Sequence, residues 1–351
     1  MITIFTPSFA DEANTNAQNL TVKEVVSRLP PEQFRILLLG NGNPDPRILA
    51  RKNTEILPCW RHGNTAQWLT RALLSKVDIY FFPREGPLDK LFLFLRHSLG
   101  LPIALVTYVV MALDEMAIGP TLLRSIREAD EVIGNSLYIS QTVAARLGVK
   151  AGTIYDGVKR ELFHPPSQGR LHGPKLTVLY AGSLQARKRV DLVIREAAKR
   201  PSVDFRIAGE GEEEHRCRSL VSDLGCRNVT FVGHLSQPDI AEEMRRADLF
   251  LFPSVLEGHP QVLVQAAACG LPAVATEKYH PDYVINGETG YLVKSESELS
   301  EKLGLLLSDD DLRQKMSAAA ARHALRFDWE KVTQDWERVF AEVAGKRRNQ
   351  A

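Results

Sequence analysis

The sequence has few cysteines, and none of them has the spacing of a metal or redox site. The four residues, Cys59, Cys217, Cys226 and Cys269, form no CxxC pair and lie in no histidine-rich stretch. Zinc ligands and redox-active dithiols are typically spaced more closely than this. A zinc-binding or disulfide-exchange protein is therefore not indicated, and we expect reduced thiols in the core.

Long apolar runs and an excess of one charge are also missing. No uninterrupted apolar run of about 18 residues occurs, and the N-terminal MITIFTPSF carries no basic segment before its apolar residues. We expect a cytoplasmic protein without a membrane span. Because 44 Lys and Arg residues balance 43 Asp and Glu residues, the overall charge gives no reason to expect a nucleic-acid partner.

What the chain does contain is a regular alternation of strand-like and helix-like segments. With 351 residues it is long for a single core and suits two domains. The apolar strand runs at 2–6 (ITIFT) and 34–40 (FRILLLG) are separated by a helical-period segment at 20–29 (LTVKEVVSRL). Continuous apolar strands are typical of parallel sheets covered by helices on both faces. We predict an α/β protein with doubly wound, Rossmann-like sheets.

A cluster of proline, glycine, serine and glutamine at residues 164–174 (HPPSQGRLHGP) interrupts the alternation, which restarts after it. We therefore predict a first domain over 1–166, a second domain over 167–327 and a C-terminal helix over 328–351. One face of that helix is apolar, and we expect it to pack back on the first domain. The face consists of Trp329, Val332, Trp336, Val339 and Phe340.

The first candidate site is the loop AGSLQARKRVD at residues 181–191, which leaves a predicted strand and enters a helix. Ligands of open α/β sheets lie beyond the carboxyl ends of strands. Arg187, Lys188 and Arg189 stand beside the helix N-terminus, where backbone N–H groups already favour a diphosphate. The alternative is a solvated basic turn, and this motif alone does not decide between them.

A second loop, AGEGEEEHR, follows the predicted strand VDFRI. Gly209 and Gly211 allow a close approach of the backbone to a ligand. The loop lacks the GxGxxG spacing of a dinucleotide site, and no other strand is followed by it. An NAD-dependent dehydrogenase is therefore disfavoured.

The third and most informative stretch is DLFLFPSVLEGHPQVLVQAAACG. A buried strand ends at Phe252, Glu257 lies in the following loop, and the turn at 258–260 opens a helix that carries Gln265. We expect Glu257 and the free N–H groups of this helix to face the same ligand. The alternative is that Glu257 only satisfies the helix dipole.

From Lys175 to Val293, six segments resemble in order and spacing the nucleotide-sugar domain of family 4 glycosyltransferases. They are AGSLQARK, AGEG, NVTFVGHL, ADLFLFPS, EGHPQVLVQAAACGLPAVAT and INGETGYLV. The resemblance implies a GT-B fold, in which two Rossmann-like domains face a cleft. The first domain is then the acceptor side and the second binds the nucleotide diphosphate-sugar. It also implies a retaining transfer that needs no metal and no other cofactor.

The resemblance also implies roles for single residues. In the family, a Glu near the transferring sugar is followed eight positions later by a Glu on the ribose; this chain has Glu257 and then Gln265, whose amide oxygen still accepts a hydroxyl. The family's Gly-Arg-Leu turn has Ser183 in place of Arg here, while the matching Lys is Lys188. We predict Glu257 and Lys188 as catalytic. The predicted donor-binding residues are Ser183, Arg187, Gly209, Glu210, Leu235, Gly258, His259, Pro260, Gln261, Val262 and Gln265.

Acceptor-side candidates in the first domain follow predicted strands and carry polar side chains. They are Asn14, Asn16, Asn19, Arg84, Glu85 and Tyr108. Tyr108 holds the approximate position of a histidine near the acceptor in relatives, although a strand-end tyrosine is more often packed in the core. The expected acceptor is a glycan, a lipid-linked sugar or a small molecule.

Two alternatives to the transferase remain open. A nucleotide-sugar epimerase of the same fold would bind the same donor, and a non-catalytic relative would explain Gln265 and Ser183. Peripheral membrane contact through the apolar segment 87–100 is not favoured, because such a helix more often packs on a sheet. The aspartates at 309–311 suit a helix cap better than a metal site.

Overall fold

The computed structural model describes residues 1–11, 17–40, 42–58, 70, 75–83, 85–111, 118–167 and 174–348. Its contacts divide the chain into two compact units. Unit 1 comprises Met1–Asp156 together with Trp329–Ala351, and unit 2 comprises Gly157–Asp328. The predicted boundary at 166/167 lies ten residues after the end of the first segment of unit 1 at Asp156, and the one at 327/328 lies one residue before the end of unit 2 at Asp328.

Unit 1 is built on a sheet of parallel strands. In the described residues it has 7 strands in the order β3-β2-β1-β4-β5-β6-β7. The strands are β1 (Ile2–Phe9), β2 (Phe34–Gly40), β3 (Thr54–Pro58), β4 (Ile79–Phe81), β5 (Ala104–Val109), β6 (Glu131–Gly134) and β7 (Ala151–Thr153). Their central residues are buried and mostly apolar, as the apolar runs of the sequence predict, although β1 also buries Thr6 and Ser8 and β5 buries Thr107.

Helices cover this sheet, and the last of them comes from the far end of the chain. They are α1 (Ala17–Arg28), α2 (Pro46–Ala50), α3 (Pro87–Ser98), α4 (Pro120–Arg127), α5 (Leu137–Leu147) and α12 (Trp329–Arg348). The ring of Trp336 on α12 is fully buried, with its centroid 5.0 Å from those of Phe81 and Tyr108. Trp329, Val332 and Phe340 share the same core. The prediction that the C-terminal helix packs on the first domain is confirmed.

Unit 2 repeats the architecture with a sheet of 6 described strands in the order β10-β9-β8-β11-β12-β13. They are β8 (Thr177–Ala181), β9 (Asp204–Ala208), β10 (Val229–Gly233), β11 (Leu249–Phe252), β12 (Ala273–Thr276) and β13 (Gly290–Val293). The helices are α6 (Val190–Ala198), α7 (Glu214–Asp223), α8 (Gln237–Arg246), α9 (Gln261–Ala268), α10 (Glu296–Ser308) and α11 (Asp310–Ala324). The predicted α/β class with two doubly wound sheets is confirmed.

The strand order of unit 2 identifies a ligand position. From β8 the chain runs to β9 and β10 on one side, and it then returns to β11, β12 and β13 on the other side. The order therefore reverses between β8 and β11, and ligands of doubly wound sheets bind beyond the carboxyl ends of the strands at such a point. The two loops that leave this point are the basic loop after β8 and the Glu257 loop after β11.

Among the described residues, no helix combines the length and the apolar character that a membrane crossing requires.

Candidate functional site

The loops after β8 and β9 are held together by their backbones. The Gly182 N–H donates to the Ala208 carbonyl at 3.0 Å, and the Leu184 N–H donates to the Glu210 carbonyl at 2.9 Å. Gly209 has a φ of +135°, and a Cβ there would lie 1.9 Å from the Gly182 carbonyl oxygen. Glycine is therefore required at 209, because the two backbones approach too closely for any side chain.

The loop after β10 joins the same group. The Gly209 N–H donates to the Gly233 carbonyl at 2.7 Å, and the His234 N–H donates to Oε1 of Glu210 at 3.2 Å. Leu235 follows, half-buried. The structure thus brings Gly209, Glu210 and Leu235 together at one edge of the sheet, although the carboxylate of Glu210 serves to hold the neighbouring loop.

The loop after β11 is bonded to the basic loop after β8. The Val255 N–H donates to the Arg187 carbonyl at 2.9 Å. In return, Nη1 of Arg187 donates to the Leu256 carbonyl at 2.6 Å. These bonds fix the two loops on either side of the point where the strand order reverses.

Glu257 is the centre of this site. Its Oε1 accepts hydrogen bonds from Nζ of Lys188, from Nη1 of Arg187 at 3.1 Å and from Oγ of Ser254 at 2.5 Å. The side chains of Glu257 and Lys188 are only 10% and 8% exposed, so the pair lies in a partly dehydrated environment. The structure therefore places the two residues predicted as catalytic in direct contact.

The electrostatics of the cluster favour an anion. Burial lowers the pKa of Lys188, while the carboxylate of Glu257 opposes that shift. Nζ of Lys188 also lies 5.1 Å from the ring centroid of Phe252. With Arg187 and Lys188 against the single carboxylate of Glu257, the cluster carries one net positive charge when Lys188 is protonated. That excess suits a diphosphate, the ligand expected for this loop.

Glu257 does not act as the cap of α9. Pro260 occupies the N-cap position and makes no side-chain cap bond. The carboxylate of Glu257 is instead bonded to Arg187 and Lys188, so Glu257 does not serve only to satisfy the dipole of this helix. At the start of α9 the Leu263 N–H donates to the Pro260 carbonyl at 3.1 Å, and the N–H groups before it have no partner within the helix.

The first helical turns of α9 present the other predicted donor residues on one face. Gln261, Val262 and Gln265 are half-buried, whereas Leu263 and Val264 are buried in the core. Positions four apart share a helix face. Gln261 and Gln265 therefore lie on the same face of α9.

His259 needs a correction, because its side chain does not belong to the donor surface. It is 6% exposed, and its ring centroid lies 3.7 Å from that of Tyr283. Burial lowers the pKa of His259 to about 3, so the imidazole is neutral at physiological pH. Gly258 is half-buried and Pro260 is buried, so this turn offers a ligand its backbone rather than a charged ring.

The buried His259 predicts a pH dependence of stability. Its pKa is about 3 in the folded protein and about 6.5 in an unfolded chain, so the unfolded state binds the proton first. The stability is complete above the unfolded pKa and is lost as the pH falls through this window. We expect the wild type to lose about 1 kcal/mol more than His259→Phe between pH 7 and 5.5, measured by urea unfolding.

The control for this experiment is His215→Gln, which changes an exposed histidine on α7. It should keep the acid sensitivity of the wild type. Parallel stability curves for the wild type and His259→Phe over this pH range would contradict the assignment of a neutral, buried imidazole.

Three acceptor-side candidates in unit 1 also have another role in the structure. Asn19 is buried and accepts the Phe9 N–H at 3.3 Å, and Tyr108 is buried and donates to Oδ1 of Asp156 at 3.0 Å. The carboxylate of Glu85 accepts the N–H groups at the start of α4 and so caps that helix. These contacts stabilise unit 1 and leave none of the three placed as an acceptor ligand. Asn14, Asn16 and Arg84 lie outside the described residues.

Sequence patterns alone missed Ser254, the third partner of Glu257. It is fully buried, three positions before Glu257 and directly after the proline that ends β11. A small polar residue between a buried strand and a functional loop was the signal that could have identified it. In the described ranges, no group of three or more His, Cys, Asp or Glu side chains could hold a metal ion, and Asp309 caps α11.

Comparison with known proteins matches the second unit to a family. Residues 166–323 match the family model described as Glycosyl transferases group 1. An uncharacterized glycosyltransferase of Methanocaldococcus jannaschii is 26% identical over 219 residues, which are 62% of this chain and 60% of that protein. D-inositol 3-phosphate glycosyltransferase of Mycobacterium bovis is 33% identical over 228 residues, 59% of this chain and 47% of that protein. The chain spans about half the length of the curated relatives it matches.

Solved structures resemble the whole chain. Anabaena HepE in complex with UDP has a TM-score of 0.78 at 19% identity, with 97% of this chain and 100% of that chain covered. At this identity the likeness shows a shared fold of two parallel sheets.

Proposed function

We propose that the chain is a retaining glycosyltransferase of the GT-B kind, a proposal supported by the match of residues 166–323 to the family model described as Glycosyl transferases group 1 and by the shared fold. It moves a sugar, most simply a hexose, from a nucleotide diphosphate-sugar to a carbohydrate, lipid-linked or small-molecule acceptor. The assignment to family 4 rests on the six sequence segments between Lys175 and Val293.

One observation carries the proposal. Glu257, Lys188 and Arg187 meet beyond the carboxyl ends of β8 and β11, where the strand order reverses. A doubly wound sheet binds nucleotides at this point, and two cations beside one carboxylate suit a diphosphate next to a sugar. A structural ion pair elsewhere on the sheet would not combine these features.

The reaction breaks the bond between the anomeric carbon and the diphosphate, so negative charge grows on the leaving phosphate. Lys188, Arg187 and the N–H groups at the start of α9 stabilise that charge, which is the largest electrostatic demand of such a transfer. Glu257 orients the sugar and stabilises the positive character of its ring. We propose that these groups replace a metal ion, so that the enzyme needs no cofactor.

The donor is proposed to be a nucleoside diphosphate sugar, with UDP-glucose as the first probe. The support comes from structures of Anabaena HepE in complex with UDP and with UDP-glucose. Gln265 would accept a ribose hydroxyl through its amide oxygen.

The test is a panel of UDP-, GDP- and ADP-sugars, measured by thermal shift and by donor hydrolysis. We expect one nucleotide class to raise the melting temperature and its sugar to be released slowly in the absence of an acceptor. Stabilisation by none of them would reject the transferase in favour of a non-catalytic relative. Conversion of the donor sugar to its epimer without release would favour the epimerase.

A further inference from the structure

Ser254 makes a contact with Glu257 that differs in kind from the other two. Its hydroxyl, in a fully buried residue, donates to Oε1 of Glu257 at 2.5 Å. Its two other oxygen neighbours, the carbonyls of Arg187 and Leu256, are farther away at 3.3 and 3.5 Å. The hydroxyl proton therefore belongs to the bond with the carboxylate.

All three donors reach the same oxygen of Glu257. Lys188, Arg187 and Ser254 all donate to Oε1, and no described residue donates to Oε2. A carboxylate held at one oxygen from several directions has a fixed orientation, with its second oxygen available to a ligand.

The three donors will not respond alike to a bound donor substrate. Lys188 and Arg187 are cations, and a diphosphate competes with Glu257 for their N–H groups. Ser254 is neutral and buried, so a diphosphate does not compete with Glu257 for its hydroxyl. Its bond to Oε1 is the one that persists when the cations turn to the diphosphate.

Ser254 is itself held in place by the neighbouring strand. Its carbonyl accepts a hydrogen bond from Oγ1 of Thr276, the last residue of β12. The neighbouring Val255 N–H is bonded to the Arg187 carbonyl at 2.9 Å. These bonds attach the loop that carries Glu257 to β12 and to the loop after β8.

We propose that Ser254 is a positioning residue of the transfer reaction. Its hydroxyl holds Oε1 of Glu257 so that Oε2 stays available to the donor sugar after the diphosphate has engaged Lys188 and Arg187. This inference rests on the proposed function and names a residue that acts through Glu257.

The activity test compares Ser254→Ala, Ser254→Thr and Ser317→Ala. Ser317→Ala is a matched control, because that hydroxyl donates to the Gly270 carbonyl at 2.5 Å in the same unit, outside the site. With UDP-glucose or the donor that the panel identifies, we expect Ser254→Ala to lower kcat by roughly 10- to 100-fold, the value of one hydrogen bond to a charged group. KM for the donor and Kd for UDP should stay near the wild-type values, and Ser254→Thr should recover much of kcat.

A purely structural role for Ser254 gives a different pattern. Ser254→Ala would then weaken UDP binding and lower kcat together, or leave both unchanged, and either result overturns the proposal. So does a kcat loss of the same size in Ser317→Ala.

A second measurement does not depend on activity. A double-mutant cycle of Ser254→Ala and Glu257→Ala, each of which removes one partner of the hydrogen bond, should show a coupling of about tenfold in the unfolding constant in urea. No coupling overturns the role of Ser254 whatever the activity. If the wild type is inactive with every donor while the coupling is present, the proposed function fails and the contact between Ser254 and Glu257 stands.

Discussion

Glu257→Gln is expected to lower the rate of sugar transfer by roughly 10²- to 10³-fold while leaving UDP bound at least as tightly as in the wild type. The substitution keeps the shape of the side chain and its acceptor oxygen but removes the negative charge. The negative charge of Glu257 stabilises the positive character of the sugar ring in the transition state, so its loss lowers kcat. The carboxylate of Glu257 also competes with a diphosphate for Lys188 and Arg187, so the loss of its charge does not weaken UDP binding.

Calorimetry can measure this competition through the number of protons that are taken up when UDP binds. Burial lowers the pKa of Lys188, and Glu257 is the group that opposes the shift. Without the carboxylate this pKa falls further, and the bound diphosphate raises it again. At an alkaline pH where Lys188 of the unbound variant is partly deprotonated, UDP binding to Glu257→Gln should therefore take up more protons than binding to the wild type, measured in two buffers of different ionisation enthalpy.

The matched control is Glu243→Gln. Glu243, whose side chain is 12% exposed, forms an ion pair with Arg206 at 2.5 Å elsewhere in unit 2. Its loss should lower the free energy of unfolding but leave kcat and UDP affinity unchanged. Full activity of Glu257→Gln would remove Glu257 from the reaction, and a large loss of UDP affinity would show that the carboxylate organises the nucleotide site rather than the transition state.

The sequence predicted the sheets and the packing of α12 from local rules, whereas Glu257 and Lys188 were assigned to one site through the family resemblance. Buried parallel strands require continuous apolar runs, and loops after adjacent parallel strands meet at one edge of the sheet. Trp336 was predictable because an apolar helix face must be covered. None of these steps needed side-chain directions.

Side-chain directions account for the differences between the sequence analysis and the structure. His259 stands beside Glu257 in the sequence, yet its ring turns into the core against Tyr283. Tyr108 and Glu85 follow strands at the functional edge, but their polar atoms are bonded to Asp156 and to the start of α4. Ser254 was missed for the opposite reason, since a buried serine next to a strand has no motif of its own until its partner is known.

Lys188→Met is expected to lower the transfer rate by roughly 10²- to 10³-fold and, unlike Glu257→Gln, to weaken UDP binding as well. Methionine keeps the apolar stem that packs in this largely buried position but removes the charge. The leaving diphosphate then loses one cation in both the ground state and the transition state. A hydrogen bond to a charged group contributes about 1.5–3 kcal/mol, which corresponds to a loss of UDP affinity of about tenfold or more.

Lys199→Met is the control, because Lys199 is an exposed lysine of the same unit whose side chain is 56% exposed and pairs with Glu196. It should behave as the wild type. The two site variants together separate the roles of the ion pair, since one member is expected to retain nucleotide affinity and the other to lose it. If both variants weakened UDP equally, the pair would act as a single structural unit. If neither variant lowered the transfer rate, the chemistry would lie outside the site where the strand order reverses between β8 and β11.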